Sequence, residues 1–207
     1  MTALNHAAFL DCCEVIDWRT DAIRELAAAL SLRASGVDLI SNLFEWVRDN
    51  VRHTGDAGQG VITLRASDVL RERTGLCYAK SHLLVALLRA SGIPSGLCYQ
   101  RLRADEASES FALHGLVGVR LPDGSVMRID PRGNKPGIDT QLIPGRETLA
   151  FVVQHRGEAD LPGVFARPLP AVVTALSAAS HWPMRDSDLP DLAPEHWPNA
   201  EGAWRAL

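Results

Sequence analysis

Cys77 lies where a thiol can become a nucleophile. It stands at the start of a segment, Leu76 to Ser91, whose apolar run from Leu83 to Leu88 predicts a buried helix. Free backbone N–H groups and the positive end of the helix dipole at such a start favour the thiolate. Cysteines in this position have a pKa of about 3.5–7.5 instead of about 8.5. Cys77 is therefore the candidate nucleophile of the chain.

The other three cysteines lack this setting. Cys12 and Cys13 are adjacent in a mixed N-terminal segment, and Cys98 lies in a predicted strand. No C-x-x-C pair occurs, which argues against both a disulfide framework and a zinc knuckle. We expect these three thiols to be reduced and to pack as small apolar side chains.

A thiolate nucleophile needs a base beside it and a group that orients the base. His114 and Asp130 lie on two predicted strands joined by Pro122-Asp123-Gly124, a tight hairpin turn by composition. A three-residue loop places Asp130 diagonal to His114 on one sheet face, and a register tighter by two residues places them directly opposite. An odd register would put them on opposite faces, so the spacing favours a His–Asp pair without requiring it.

The elements that must hold these residues follow from periodicity. Amphipathic helical patterns precede the nucleophile helix, around Ile23 to Leu30 and Leu39 to Val47. Gly55 to Gly60 has the composition of a flexible loop, and Ser67 is expected to cap a short helix that Gly75 closes. Strands are predicted at Ser95–Arg103, Leu113–Leu121 and Ser125–Asp130, with a fourth at Ala150–Gln154; a polar loop is predicted at Ala104–Ser110.

Helices followed by strands predict an α+β fold, in which a helical N-terminal lobe with the buried nucleophile helix packs on an antiparallel β-sheet. The chain length of 207 residues favours one domain, and 46% apolar with 22% charged residues is typical of a globular protein. A net charge of −4 without a long basic run argues against nucleic acid as a partner. No apolar stretch of about 20 residues and no signal-peptide pattern are present, so we expect no membrane partner and a cytoplasmic location.

The C-terminal part differs in composition. Seven of the twelve prolines and three of the five tryptophans follow Asp160. Pro170 is expected to start a helix over Ala171–Ala179, followed by an irregular strap. Its aromatic side chains either cover the body of the protein or form an interface, for example in a homo-oligomer, or a cover over the active site.

The residues from Gly75 to Pro94 resemble the core of the transglutaminase-like superfamily. They show its Gly-x-Cys, its long apolar helix and an exit of the form Leu-Leu-Arg-Ala-x-Gly-Ile-Pro into a strand. His114 and Asp130-Pro131 match the family's later His and Asp-Pro blocks in order and spacing. Trp46–Val51 and Ala66–Leu70 resemble its lead-in, so that the likeness spans about residues 44–132. We interpret 1–160 as a transglutaminase-like catalytic domain and 161–207 as a Pro/Trp-rich extension packed on it.

The resemblance implies a papain-like mechanism. Cys77 would attack an amide or peptide carbonyl, His114 would activate the thiol and then protonate the leaving amine, and Asp130 would hold the imidazole. The thioester would pass to water, giving hydrolysis, or to an amine, giving crosslinking or amine acylation. The implied partner is a peptide, protein or small amide substrate, with no cofactor and no metal. A third hypothesis is that the chain is a non-enzymatic scaffold that keeps the fold for binding.

The chain departs from the family pattern at several points. Gly115-Leu116 follows the histidine where Ala-Trp is frequent, and Arg132-Gly133 follows the Asp-Pro pair in place of a small hydroxyl residue. The backbone N–H of Cys77 is a candidate oxyanion donor. A side-chain donor is not evident, because papain-like enzymes place a glutamine shortly before the nucleophile and this chain has none there. Gln100, Gln59 and Trp46 are alternative side-chain oxyanion donors, but no motif supports any of them.

Two further histidines have structural interpretations. His82 lies about 140° around the helix from Cys77, so we expect a helix histidine with satisfied hydrogen bonds. His53 follows the second helical pattern and is expected to be a charge partner for the C-terminus of that helix. A metal site built from Cys77, His114 and Asp130 is chemically conceivable, but three widely spaced ligands do not favour it.

Overall fold

Helices dominate the first half of the chain and a four-stranded antiparallel sheet follows, in a computed structural model that describes residues 7–104 and 110–198. This order confirms the predicted α+β fold. Most of the predicted polar loop, at 105–109, and the end of the tail, from 199 on, lie outside the described residues. No helix in the described part of the chain is both long enough and apolar enough to cross a membrane.

The helices surround one buried helix. They are α1 (Asp21–Leu30), α2 (Gly36–Asn50), α3 (Thr54–Ala57), α4 (Ala66–Glu72), α5 (Cys77–Ala90) and α6 (Pro170–Ala178), with 3-10 turns at Asp186–Asp188 and Pro194–His196. Every residue of α5 from Cys77 to Arg89 is buried. It contacts α1, α2 and α4 as well as the strands at Ser95–Arg103 and Phe111–Arg120, which is why its sequence is apolar on more than one side.

The strands form one main sheet and two short pairs. They are β1 (Arg52–His53), β2 (Gly60–Val61), β3 (Thr74–Gly75), β4 (Ser95–Arg103), β5 (Phe111–Arg120), β6 (Val126–Ile129), β7 (Ala159–Asp160) and β8 (His181–Trp182). The main sheet has the order β6-β5-β4-β7, all antiparallel. β1 pairs with β3 in parallel, and β2 pairs with β8 antiparallel.

The β5–β6 hairpin adopts the register of a three-residue loop. Val117 lies opposite Ile129, and the N–H of Leu121 donates to the carbonyl of Ser125 at 2.9 Å. Gly124 takes a φ of +88°, in the left-handed region that a glycine enters without strain. Asp130, the next residue after β6, therefore comes to the sheet face that carries His114.

Three local predictions were wrong. Ala150–Gln154 forms no strand: the N–H of Ala150 donates to the Asp130 carboxylate, and the fourth strand of the sheet is β7. The predicted loop at Gly55–Gly60 begins inside α3, because His53 caps that helix by accepting from the N–H of Asp56.

The third concerns the short helix before the nucleophile. Ser67 lies inside α4, where its N–H and hydroxyl donate to the carboxylate of Asp17 instead of capping the helix. The helix ends at Glu72, and Arg73, the C-cap that follows, has a left-handed φ of 53°. Gly75 is free of that role and lies in β3, paired with His53.

The tail packs on the body. Pro170 is the first residue of α6, as predicted, and Val172 and Leu176 of that helix are buried in the main core. Trp182 and Trp197 are half-buried against the same core. These contacts agree with a covering role for the tail aromatics; the homo-oligomer interface stays a prediction.

Candidate active site

Cys77 is the first residue of α5, and its Sγ lies against the edge of β5. Leu76 before it is extended (φ −68°, ψ 169°), so the chain enters the helix directly from β3. The backbone N–H of Gly115 donates to Cys77 Sγ at 3.4 Å. The thiol is buried, with 8% of the residue exposed. It therefore combines a helix start with a backbone donor from a neighbouring strand.

His114 and Asp130 form a buried hydrogen-bonded pair. His114 Nε2 lies 2.7 Å from Asp130 Oδ2. Asp130 has no exposed surface and also accepts from the N–H groups of Arg132 and Ala150, each at 3.0 Å. Burial alone would raise the pKa of Asp130, but the charge of His114 and these hydrogen bonds hold it below its usual value. The carboxylate is therefore ionised and fixed in orientation.

The imidazole of His114 is held in its charged form. Burial alone would lower its pKa, but the charges of Asp130 and Cys77 and hydrogen bonds to both side chains raise the pKa to about 10. Because Nε2 is engaged by Asp130, Nδ1 is the nitrogen that faces Cys77. The ring of Phe151 contacts the imidazole edge-on, with centroids 4.9 Å apart and planes at 90°. The three predicted site residues are thus adjacent in the structure.

Gly115 explains one departure from the family pattern. A Cβ at this position would lie 3.0 Å from Tyr78 Cα and 3.2 Å from Tyr78 N. The absence of a side chain therefore lets β5 approach the first turn of α5. Two side chains of that turn complete the contact: the Tyr78 hydroxyl donates to the carbonyl of Leu113, and Ser81 Oγ donates to the carbonyl of Gly115 at 3.1 Å.

Arg132 explains the other departure. Its guanidinium, 7% exposed, donates to both oxygens of Asp56 at 2.7 and 2.8 Å. Lys135 donates to the same carboxylate at 2.6 Å. These contacts hold the pKa of Asp56 at about 2, although burial alone would raise it. The residue after the Asp-Pro pair thus ties the loop that carries Asp130 to α3.

The predicted role of His53 was wrong. Burial and the charge of Arg132 lower its pKa to about 3, against the opposing effect of Asp56, so it is neutral and gives no charge to the end of α2. It belongs instead to the wall of a cavity of about 900 Å³ that also includes Cys77 and His114. Much of this wall is apolar, formed by Leu76, Leu102, Leu113, Phe151, Val152, Trp182 and Leu189.

The remaining sequence candidates lie elsewhere. His82 has its Nδ1 2.9 Å from the carbonyl of Leu64, and burial lowers its pKa to about 4; its Nε2 has no partner in the described structure. Burial raises the pKa of Cys98 to about 12, as expected for a packed thiol. Gln100 donates to Asp160 at 3.0 Å, and the described wall of the cavity includes none of Gln100, Gln59 and Trp46.

No group of three His, Cys, Asp or Glu side chains in residues 7–104 and 110–198 is arranged to hold a metal ion. Sequence reasoning missed Ala150, Phe151, Arg132 and His53 as parts of the site. No sequence pattern marked these four residues, because they reach the site through long-range contacts.

Comparisons with known proteins concern the family and the fold of the chain. The sequence model of a family described as the transglutaminase-like superfamily matches residues 24–131. A candidate cysteine protease from Cytophaga hutchinsonii has a similar structure, with 19% identity and a TM-score of 0.51 over 64% of this chain and 43% of that one. The periplasmic domain of TgpA from Pseudomonas aeruginosa matches with 18% identity and a TM-score of 0.46, over 63% of this chain and 48% of that one.

The matched region thus spans less than half the length of either relative. At these identities the likeness to the Cytophaga protein concerns the fold. No curated protein matches the chain at a significant level.

Proposed function

Because the chain belongs to the transglutaminase-like superfamily, we propose that it is a cysteine-dependent hydrolase that cleaves an amide or peptide bond through a thioester on Cys77. One observation carries the proposal: a thiol at a helix start adjoins a buried His114–Asp130 pair, and thiol and imidazole both face a cavity of about 900 Å³. A cavity of this size is typical of sites that enclose a small molecule or a peptide segment.

The first half of the reaction acylates the enzyme. The Cys77 thiolate attacks the carbonyl carbon, a C–S bond forms, and the carbonyl electron pair moves onto oxygen. When the tetrahedral intermediate collapses, the C–N bond breaks and His114 gives its proton to the leaving amine. The pKa of about 10 for His114 means that this proton is present at neutral pH.

The second half returns the enzyme to its starting state. His114, now neutral, takes a proton from water as the water oxygen attacks the thioester carbon. The C–S bond breaks, the carboxylic acid leaves, and Cys77 and His114 regain the ion pair. Asp130 remains ionised throughout and stabilises the imidazolium, because its three hydrogen bonds all favour the carboxylate.

The test is turnover of a library of peptides and glutamine amides, with release of amine or ammonia as the readout. We expect wild-type protein and a Cys12→Ala control, which changes a thiol outside the cavity wall, to release product, and Cys77→Ala to release none. Turnover that survives in Cys77→Ala, or a wild type inactive on the whole library, contradicts the proposal. The same assay with an added primary amine separates hydrolysis from transfer: a free acid as the main product supports hydrolysis, and an amide adduct assigns the chain to transfer.

A further inference from the structure

His53 lies beside the nucleophile although it is distant in sequence. The parallel pairing of β1 with β3 puts His53 opposite Gly75, two residues before Cys77. Its side chain is 13% exposed and lines the same cavity wall as Cys77 and His114. This imidazole takes no part in the proton transfers between Cys77, His114 and the substrate.

The proton of the His53 ring is located by its hydrogen bond. Nδ1 accepts from the backbone N–H of Asp56 at 3.3 Å, so Nδ1 carries the lone pair. The carboxylate of Asp56 is 3.6 Å away, beyond hydrogen-bond distance, and is already engaged by Arg132 and Lys135. The neutral ring therefore carries its proton on Nε2.

The Nε2–H of His53 is an open donor. The Cε1–Nδ1 edge of the ring faces Gly55, whose Cβ, if present, would lie 3.1 Å from Cε1. No described residue accepts a hydrogen bond from Nε2, and Nε2 is not among the unpartnered polar atoms that are sealed from solvent. His53 is one of the residues that line the cavity, so we expect this donor to be available to a molecule bound there.

The donor keeps one protonation state. Burial, then the charge of Arg132, lowers the pKa of His53 to about 3, with a smaller opposing effect from Asp56. Lys80 and His114, the other charged groups near it, lower it further. The ring is therefore a neutral N–H donor across the neutral pH range. A neutral imidazole can polarise a carbonyl by donating a hydrogen bond to its oxygen.

We propose that His53 is a catalytic residue that completes the oxyanion site: its Nε2–H and the backbone N–H of Cys77 donate together to the carbonyl oxygen that becomes negative when Cys77 attacks. The proposal deepens the proposed function and rests on it. Cys77 is the first residue of α5, so its N–H has no partner inside the helix. The two donors thus approach the nucleophile from adjacent backbone segments, and the site needs no glutamine before the cysteine.

The test compares two reactions at Cys77 that differ in their need for an oxyanion. Iodoacetamide alkylates the thiolate by displacing iodide, and no carbonyl becomes negative. p-Nitrophenyl acetate acylates the same sulfur through a tetrahedral oxyanion and releases p-nitrophenolate, a leaving group that needs no proton. The nitrophenolate burst of Cys77→Ala, subtracted from each measurement, isolates the reaction at this thiol.

Two variants separate catalysis from structure. His53→Asn keeps an oxygen that can accept from the N–H of Asp56, since asparagine is a favoured N-cap, but its amide is too short to reach the cavity as the imidazole does. His53→Gln restores a longer N–H donor. His181→Asn is the control, because His181 is exposed and outside the cavity wall.

We expect His53→Asn to lower the acylation rate by about 10²–10³, the usual effect of losing one oxyanion donor, while the iodoacetamide rate and melting temperature stay unchanged. His53→Gln should recover part of the acylation rate. Wild-type acylation in His53→Asn overturns the proposal, as does a parallel loss of alkylation. The proposal is also overturned if Trp182→Phe loses acylation while His53→Asn keeps it, because the donor is then the indole N–H of Trp182. A wild type that neither alkylates selectively at Cys77 nor gives a burst overturns the proposed function itself.

Discussion

The backbone N–H of Gly115 donates to the Sγ of Cys77 at 3.4 Å, and Gly115 directly follows His114 along β5. One short piece of strand thus carries both the imidazole of His114 and a backbone donor for the thiol. The distance depends on how closely β5 approaches α5, and Gly115 permits that approach because a Cβ there would meet Tyr78. The reactivity of the thiol should therefore respond to a single methyl group at Gly115.

Gly115→Ala should slow alkylation of Cys77 by iodoacetamide and lower the free energy of unfolding by about 1–3 kcal/mol, the usual cost of overpacking. The added methyl lies 3.0 Å from Tyr78 Cα, which is backbone and cannot rotate away. The strand must move instead, which lengthens the hydrogen bond to Cys77. Stopped-flow alkylation and urea unfolding measure the two effects.

Gly118→Ala is the matched control on the same strand. Its Cβ would lie 2.7 Å from Val164 Cγ2, on the side of the sheet away from α5, so it overpacks a different contact. It should lose stability by a similar amount and keep the wild-type alkylation rate. Equal slowing in both variants would mean that the loss of stability, and not the Gly115 contact, controls the thiol.

The charge of His114 should make stability depend on pH. The folded-state pKa of His114, about 10, is raised from the usual 6.5. Its contribution to the free energy of unfolding is therefore complete below about pH 6.5 and is lost as pH rises through 10. Lys80 acts in the opposite direction, because its pKa is lowered to about 7, mainly by burial. The informative quantity is therefore the difference between wild type and His114→Gln.

This difference in free energy of unfolding should shrink as pH rises from 6.5 towards 10, by at most about 1.4 kcal/mol per pH unit. Urea unfolding at a series of pH values measures it. A difference that is constant over this range would mean that folding does not raise the pKa of His114.

Features that depend on neighbours along the chain could be predicted from the sequence. The buried helix follows from six consecutive apolar residues, and β4 has the predicted bounds, Ser95–Arg103. The composition of Pro122-Asp123-Gly124 predicts a tight hairpin turn but leaves more than one register open, and the structure adopts the register of a three-residue loop. Each of these patterns involves only residues within about ten positions of one another in the sequence.

Features that depend on distant contacts could not be predicted. His53 reaches the site through a parallel pair of two-residue strands, too short to leave a periodic pattern. The sequence predicts a strand that begins at Ala150, but the N–H of Ala150 donates to the Asp130 carboxylate and so forms no hydrogen bond to a neighbouring strand. Arg132 and Asp56 are 76 residues apart, and nothing near either residue indicates the other.

Asp130→Asn should lower the alkylation rate of Cys77 near neutral pH and destabilise the protein. The carboxylate accepts from His114 and Ala150 on one oxygen and from Arg132 on the other. An amide has one oxygen, so its N–H₂ group must face a donor, which costs about 1–3 kcal/mol for an unsatisfied buried group. Loss of the negative charge also lowers the pKa of His114, and less of the imidazole is charged. Alkylation as fast as in wild type would show that the thiolate does not need the Asp130 charge.

Asp56→Ala should destabilise the protein by about 3–5 kcal/mol, because it leaves the buried guanidinium of Arg132 without its carboxylate. Arg132→Met, which removes the charge and keeps much of the side-chain volume, should restore part of this loss in the double variant. Asp188→Ala is the control: it removes an exposed pair with Arg185 and should change the free energy of unfolding very little, since water and salt screen such pairs. Urea unfolding of the four proteins measures the effects. Equal, small changes for Asp56→Ala and Asp188→Ala would mean that water enters to solvate Arg132, and the loop that carries Asp130 would then be held by its backbone contacts alone.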